Sequence, residues 1–198
     1  MVLLLGSALT LPALANAPTE WQTLVRATTG DTPADTLRRV NQRINQLRRI
    51  SDIRNWQRAD HWTTPIELLQ RGAGDCEDFA IAKYFLLRAH GFTDSNLRLM
   101  FARTYNPYTG VIEPHMVLLY LRHDNQPPLV LDNTRDSMQA LDQRHDLVPT
   151  AAFDKTRYWI HDRQHWTSTH PATSLPAWQA VQQRWRQQTA GHLVASAQ

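Results

Sequence analysis

The sequence predicts an α+β domain, with helices in the first half packed on an antiparallel sheet in the second. Three observations predict it. Apolar residues recur at helical spacing between residues 33 and 90, and they alternate at period two from about residue 96 onward. Between the two regimes stands Gly91, a helix stop. At 198 residues the chain fits one domain with appendages, long enough to bury a core without disulfide or metal staples. Hydrophobic residues make up 42% and charged residues 20%, the balance of a globular protein. A net charge of +3, with basic residues dispersed apart from Arg38-Arg39 and Arg48-Arg49, argues against a nucleic-acid partner.

Taken in order, residues 1–15 form an apolar stretch that ends in Ala13-Leu14-Ala15 and reads as a secretory signal. It lacks the usual positive start and is too short and interrupted to span a membrane. Export is the expected consequence. Residues 16–32 read as a linker. Residues 33–50 read as an amphipathic helix, because Leu37, Val40, Ile44 and Leu47 form one stripe while Arg38, Arg39, Arg43 and Arg48 lie off it. Residues 52–64 are polar and aromatic, an irregular connection or short helix. Thr64-Pro65-Ile66-Glu67 starts another helix, which ends in Arg71-Gly72-Ala73-Gly74. Residues 77–90 are apolar nearly all round and read as a buried central helix, with Glu77 and Asp78 suited to its positive end.

Residues 96–105 alternate as a strand, and Tyr105-Asn106-Pro107-Tyr108-Thr109-Gly110 reads as a turn. The next strand, 115–122, puts His115, Val117, Leu119 and Leu121 on one face and Met116, Leu118 and Tyr120 on the other. A turn over 124–128 leads to a short strand at 129–131, and residues 155–166 read as a last hairpin. Residues 167–198, with Pro171, Pro176 and a Gln/Arg-rich run, read as a peripheral tail. The main domain is thus expected over 33–166.

Chemistry concentrates at the single cysteine, in Gly72-Ala73-Gly74-Asp75-Cys76-Glu77-Asp78-Phe79-Ala80. A thiol at a helix start meets unpaired backbone N–H groups and the positive end of the dipole, which favour the thiolate. A nucleophile also needs a base and a group that orients the base. His115 starts one strand after Pro114, and Asp132 ends the next, so two paired strands can set them side by side. Each residue also has a bland reading: a structural thiol, a hydrogen-bonded strand histidine, a turn-forming aspartate. Asp75, Glu77 and Asp78 oppose a thiolate by like-charge repulsion. A hard cation, Ca²⁺ before Mg²⁺, would cancel that field; alternatively these acids only cap the helix and brace the turn. His161-Asp162-Arg163-Gln164-His165 has the histidine spacing of a zinc protease helix, but it lacks the glutamate and lies on a predicted strand, so it reads as chance.

Together, Trp62-Thr63-Thr64-Pro65, the string from Gly72 to Ala80, Pro114-His115-Met116-Val117-Leu118 and Leu131-Asp132-Asn133 resemble the bacterial transglutaminase-like cysteine proteinases. Within that family they are most similar to the periplasmic adhesin proteases. The resemblance spans about residues 33–166. It implies a papain/transglutaminase-like fold and a catalytic triad of Cys76, His115 and Asp132. It also implies calcium-dependent activity, with Asp75 and Glu77 as ligands and Asp78 as a further candidate. The implied substrate is a large surface adhesin, cut at a di-alanine site near its N-terminal retention module, which releases the adhesin and disperses biofilm. The implied partner is the periplasmic domain of an inner-membrane cyclic di-GMP receptor, which sequesters the protease when the nucleotide is abundant. The same triad would serve a transglutaminase or an amidase of cell-wall peptides, whereas a non-catalytic receptor-binding module would not need all three groups.

Overall fold

A computed structural model describes residues 17–106, 109–122, 126–162 and 165–195. The signal stretch at 1–15 lies outside the described residues, as do Pro107 and Tyr108 of the expected turn.

Among the described residues, six α-helices and nine strands follow the predicted order of helices, then sheet, except that α6 comes after the sheet. The helices are α1 (Ala17–Thr28), α2 (Pro33–Asn45), α3 (Asp52–Trp56), α4 (Pro65–Arg71), α5 (Cys76–Ala89) and α6 (Pro176–Ala195). Thr32 caps α2 by accepting the Asp35 N–H, with proline in the first turn. In α4 a reciprocal capping box joins Thr64 and Glu67, and Gly72 closes the helix at φ 64°, where a side chain is disfavoured. Buried on every side, α5 is the hub of the core: Phe79, Ile81, Leu86 and Leu87 are fully enclosed.

The main sheet has seven antiparallel strands in the order β6-β5-β4-β3-β7-β8-β9. The strands are β3 (Leu97–Asn106), β4 (Val111–Tyr120), β5 (Leu129–Asp132), β6 (Arg135–Ala140), β7 (Leu147–Phe153), β8 (Arg157–Asp162) and β9 (His165–Pro171). The alternation read in β4 is the one observed. Met116 and Leu118 join the core under α5, while Val117 and Leu119 pack in a second cluster with Met100, Ala102 and Val130. Both faces of the central strands are therefore covered.

Four expectations need correction. The helix read over 33–50 stops at Asn45, because the backbone of β1 (Arg48–Arg49) pairs in parallel with β2 (Ala73–Gly74). Residues 16–32 are not a linker: α1 buries Leu24, and the Thr28 hydroxyl meets His90 Nε2 at 2.8 Å. Nor is the tail after 166 peripheral. Trp178 on α6 is fully buried, packs edge-on against Tyr84 and Phe153, and donates its Nε1–H to the Asp154 carbonyl. Finally, β6 and β7 were not foreseen. The polar β6 shows no alternation, and β7 carries Pro149 beside its own bulge at Thr150, the setting in which a sheet tolerates proline.

Candidate active site

Cys76 is the first residue of α5, and the loop before it is fixed from several sides. The Arg48 and Ile50 N–H groups donate to the carbonyls of Gly72 and Gly74, and Asn55 Nδ2 donates to the Ala73 carbonyl. A Cβ added at Gly74 would lie 2.5 Å from Asp78 Oδ2 and 2.8 Å from Leu68 Cδ1, so only glycine lets the chain approach the helix start this closely. The thiol lines a cleft of about 200 Å³ with Asp60, Trp62, Glu77, Phe101, Pro114, His115 and Met116. This cleft opens towards a second of about 390 Å³, which shares Phe101, Pro114 and His115. A larger hollow of about 600 Å³ between α1 and α2 has no cysteine or histidine in its lining, so chemistry rather than volume marks the site.

His115 and Asp132 lie side by side, with Nε2 and Oδ1 2.9 Å apart. Both are buried, and β4 and β5 set them there as neighbouring antiparallel strands. Asp132 Oδ1 also accepts the Thr134 N–H at 2.9 Å, and Oδ2 accepts Arg144 Nη2 at 2.7 Å. Burial alone would raise the Asp132 pKa, but these hydrogen bonds and the charges behind them hold it well below the usual carboxylate range. Arg144 escaped the sequence reading. It lies in a polar stretch with no motif, and only the fold carries it to Asp132.

The acids divide into two sets. Asp52, Asp75 and Glu77 each offer a carboxylate oxygen within 4.8 Å of the others. Asp52 is the member the sequence did not flag. Its Oδ1 and the Oδ1 of Asp75 are buried without a hydrogen-bond partner, although Asp52 Oδ2 accepts the His61 N–H. Burial, then the charges of Glu77 and Asp78, push the Asp75 pKa up to about 9. Two orphaned buried oxygens facing a third carboxylate fit a hard cation, and a Ca²⁺ shell would draw further oxygens from backbone or water. Asp78, the further candidate ligand, lies outside this trio. Its Oδ1 accepts both the N–H and the hydroxyl of Thr63 at 2.7 Å, and its Oδ2 accepts the Asp75 N–H, so it braces the loop before α5.

The cluster also acts on the thiol. Cys76 Sγ donates to Glu77 Oε2 at 3.1 Å. Burial first, then Glu77, pushes the thiol pKa well above its ordinary value, and a hydrogen bond from the Met116 backbone only partly offsets this. Burial, Glu77 and Asp75 thus all favour the protonated thiol. The histidine pair fares as the sequence reading expected. His161 pairs with Trp166 and Asp162 with His165, so the two rings point to opposite faces of the hairpin.

Three comparisons with known proteins bear on this geometry. The family profile described as bacterial transglutaminase-like cysteine proteinase matches residues 18–168. Among solved structures, Legionella pneumophila LapG treated with EGTA is 30% identical and covers 85% of this chain and 88% of its own, with a TM-score of 0.71. Calcium-bound LapG of the same organism is 29% identical and covers 89% and 93%, also with a TM-score of 0.71. No curated protein matches.

Proposed function

The chain belongs to the bacterial transglutaminase-like cysteine proteinases, and from that premise we propose that it is a calcium-dependent endopeptidase of the periplasm. Its substrate in this reading is a large surface adhesin, cut near its N-terminus so that the adhesin is released and biofilm disperses. The observation that carries the catalytic reading is the buried His115–Asp132 bond at the cleft that Cys76 also lines. Asp132 holds the ring through Nε2, which leaves Nδ1 to take the thiol proton. The Cys76 thiolate then attacks the scissile carbonyl carbon and forms a thiohemiacetal-type tetrahedral oxyanion. Backbone N–H groups at the start of α5 are the natural donors to that oxyanion. Collapse of the intermediate breaks the C–N bond, with His115 returning the proton to the leaving amine. Water, deprotonated by the same ring, releases the acyl group and restores the thiol.

Asp52, Asp75 and Glu77 are the residues that would hold Ca²⁺. When bound, the ion supplies charge neutralisation beside a thiol that those carboxylates otherwise keep protonated. The calcium-bound structure of the similar LapG supports calcium as the ion. The apolar leader supports export, and among the described residues no helix is long and apolar enough to cross a membrane. Regulation in this reading is sequestration by the periplasmic domain of an inner-membrane cyclic di-GMP receptor. The test is incubation of the purified protein with a recombinant N-terminal adhesin fragment, in calcium and then in chelator. Cleavage in calcium that is lost in chelator and in Cys76→Ala supports the proposal; an intact fragment under every condition sinks it for that substrate.

A further inference from the structure

Lys83 sits on α5 about two turns beyond Cys76 and is fully buried. Its Nζ has no hydrogen-bond partner. The neighbours on the same helix, Phe79 to Ala82 and Leu86-Leu87, are buried and almost wholly apolar. An aliphatic side chain would fill this position at lower cost, because an ammonium loses its hydration on burial. The residue therefore has to be explained by what its charged end meets. The charges that act on it are Asp132, at the end of β5, and Asp136, on β6. Burial draws its pKa down to about 7, and those two carboxylates pull the other way.

The turn between these aspartates is bound to α2 through amides. Asn41 Nδ2 donates to the carbonyls of Arg135 and Asp136 at 2.9 and 3.0 Å. Asn45 Nδ2 donates to the Asp132 carbonyl at 2.9 Å and to Asp136 Oδ1 at 3.0 Å. The Oδ1 atoms of Asn41, Asn45 and Asn133 are left as buried acceptors without donors. A buried ammonium with three N–H groups and three unmet acceptors thus belong to elements that enclose the same turn, since α5 packs on α2 and β5, and α2 on β5 and β6. Arg144 compensates Asp132 from its Oδ2 side; Lys83 compensates it from within the core.

We propose that Lys83 is a positioning residue that ties down the turn from Asp132 to Asp136 and, through Asp132, sets how His115 is held beside Cys76. The proposal rests on the catalytic reading of Cys76, His115 and Asp132. Its test follows the rate of Cys76 alkylation by iodoacetamide across pH in the calcium-loaded full chain, together with the thermal unfolding midpoint. Cys76 is the chain's one cysteine, so the reaction reports on it alone. Lys83→Met should move the midpoint less than Arg144→Met does, because it removes a cation from Asp132 but also relieves a buried ammonium that makes no hydrogen bond. The alkylation inflection should nevertheless rise by about one pH unit, with alkylation below it about tenfold slower. A residue that only fills space would change the midpoint and leave the inflection alone. A wild-type inflection that His115→Ala moves but Lys83→Met does not would overturn this inference by itself. An inflection that His115→Ala fails to move would overturn the catalytic reading and this inference with it. Should Lys83→Met not fold, the same curves are read on Lys83→Gln, whose neutral donor should give a smaller shift of the same sign; no shift overturns the proposal.

Discussion

At the scale of single residues, the four acids Asp52, Asp75, Glu77 and Asp78 sit in different surroundings. Asp75 and Glu77 were legible because they flank Cys76 in sequence. Asp52 was not: the rest of α3 and the whole of α4 separate it from the thiol, and in sequence it looks like an acid suited to a helix start. Only the return of the chain through β1 and β2 brings it to the cluster. Asp52→Asn should weaken calcium binding by about a hundredfold in titration calorimetry, with the circular dichroism spectrum unchanged, since it removes one of three anionic oxygens. Undiminished affinity would remove Asp52 from the ligand set. Asp78→Ala should do the opposite. Calcium binding persists, while stability in urea falls by about 1–3 kcal/mol because the Thr63 N–H and hydroxyl lose their buried acceptor. Arg144 has a comparable position behind Asp132. Arg144→Met should lower stability by about 3 kcal/mol, because it leaves a buried carboxylate with one cation fewer.

At the scale of elements, the parts with strong period or caps were readable. These are α2, α4 and α5, and the strands β3, β4 and β5. The unread parts owe their conformation to partners distant in sequence. β6 is a polar edge strand formed by pairing with β5, and β7 runs on a bulged register that hides alternation. The Gln/Arg-rich look of α6 concealed Trp178 and Val181, both fully buried. Composition averages over a helix, whereas packing depends on the one face that touches the core. Trp178→Ala should therefore cost about 3–5 kcal/mol in urea denaturation, as for other large-to-small core changes. A loss below 1 kcal/mol would return α6 to the status of a tail.

At the scale of the molecule, the raised and lowered carboxylates set a pH profile. Burial, joined by neighbouring acids, pushes Asp75 up to about 9 and Asp78 up to about 7, above the ordinary 3.8 of an aspartate in the unfolded chain. The folded state then holds more protons than the unfolded state above pH 4, so stability falls as pH rises from about 4 towards those values. Asp132 is lowered instead, and its contribution is present above about pH 4 and lost as pH falls below. Without calcium, the unfolding midpoint should fall between pH 5 and pH 7, and saturating calcium should flatten that fall. A midpoint that is level or rising in chelator would contradict the picture. The grip of α6 on the cleft has a consequence in time. Arg184 bonds to Glu67 and to the Trp62 carbonyl, and Gln188 bonds to Thr64 and Glu67, so the segment that walls the thiol's cleft is secured by residues more than a hundred positions later. During synthesis from the N-terminus, the ribosome releases Cys76 long before it releases α6. A nascent chain therefore carries an unfinished cleft until α6 emerges, and the thiol gains a complete binding wall only after that.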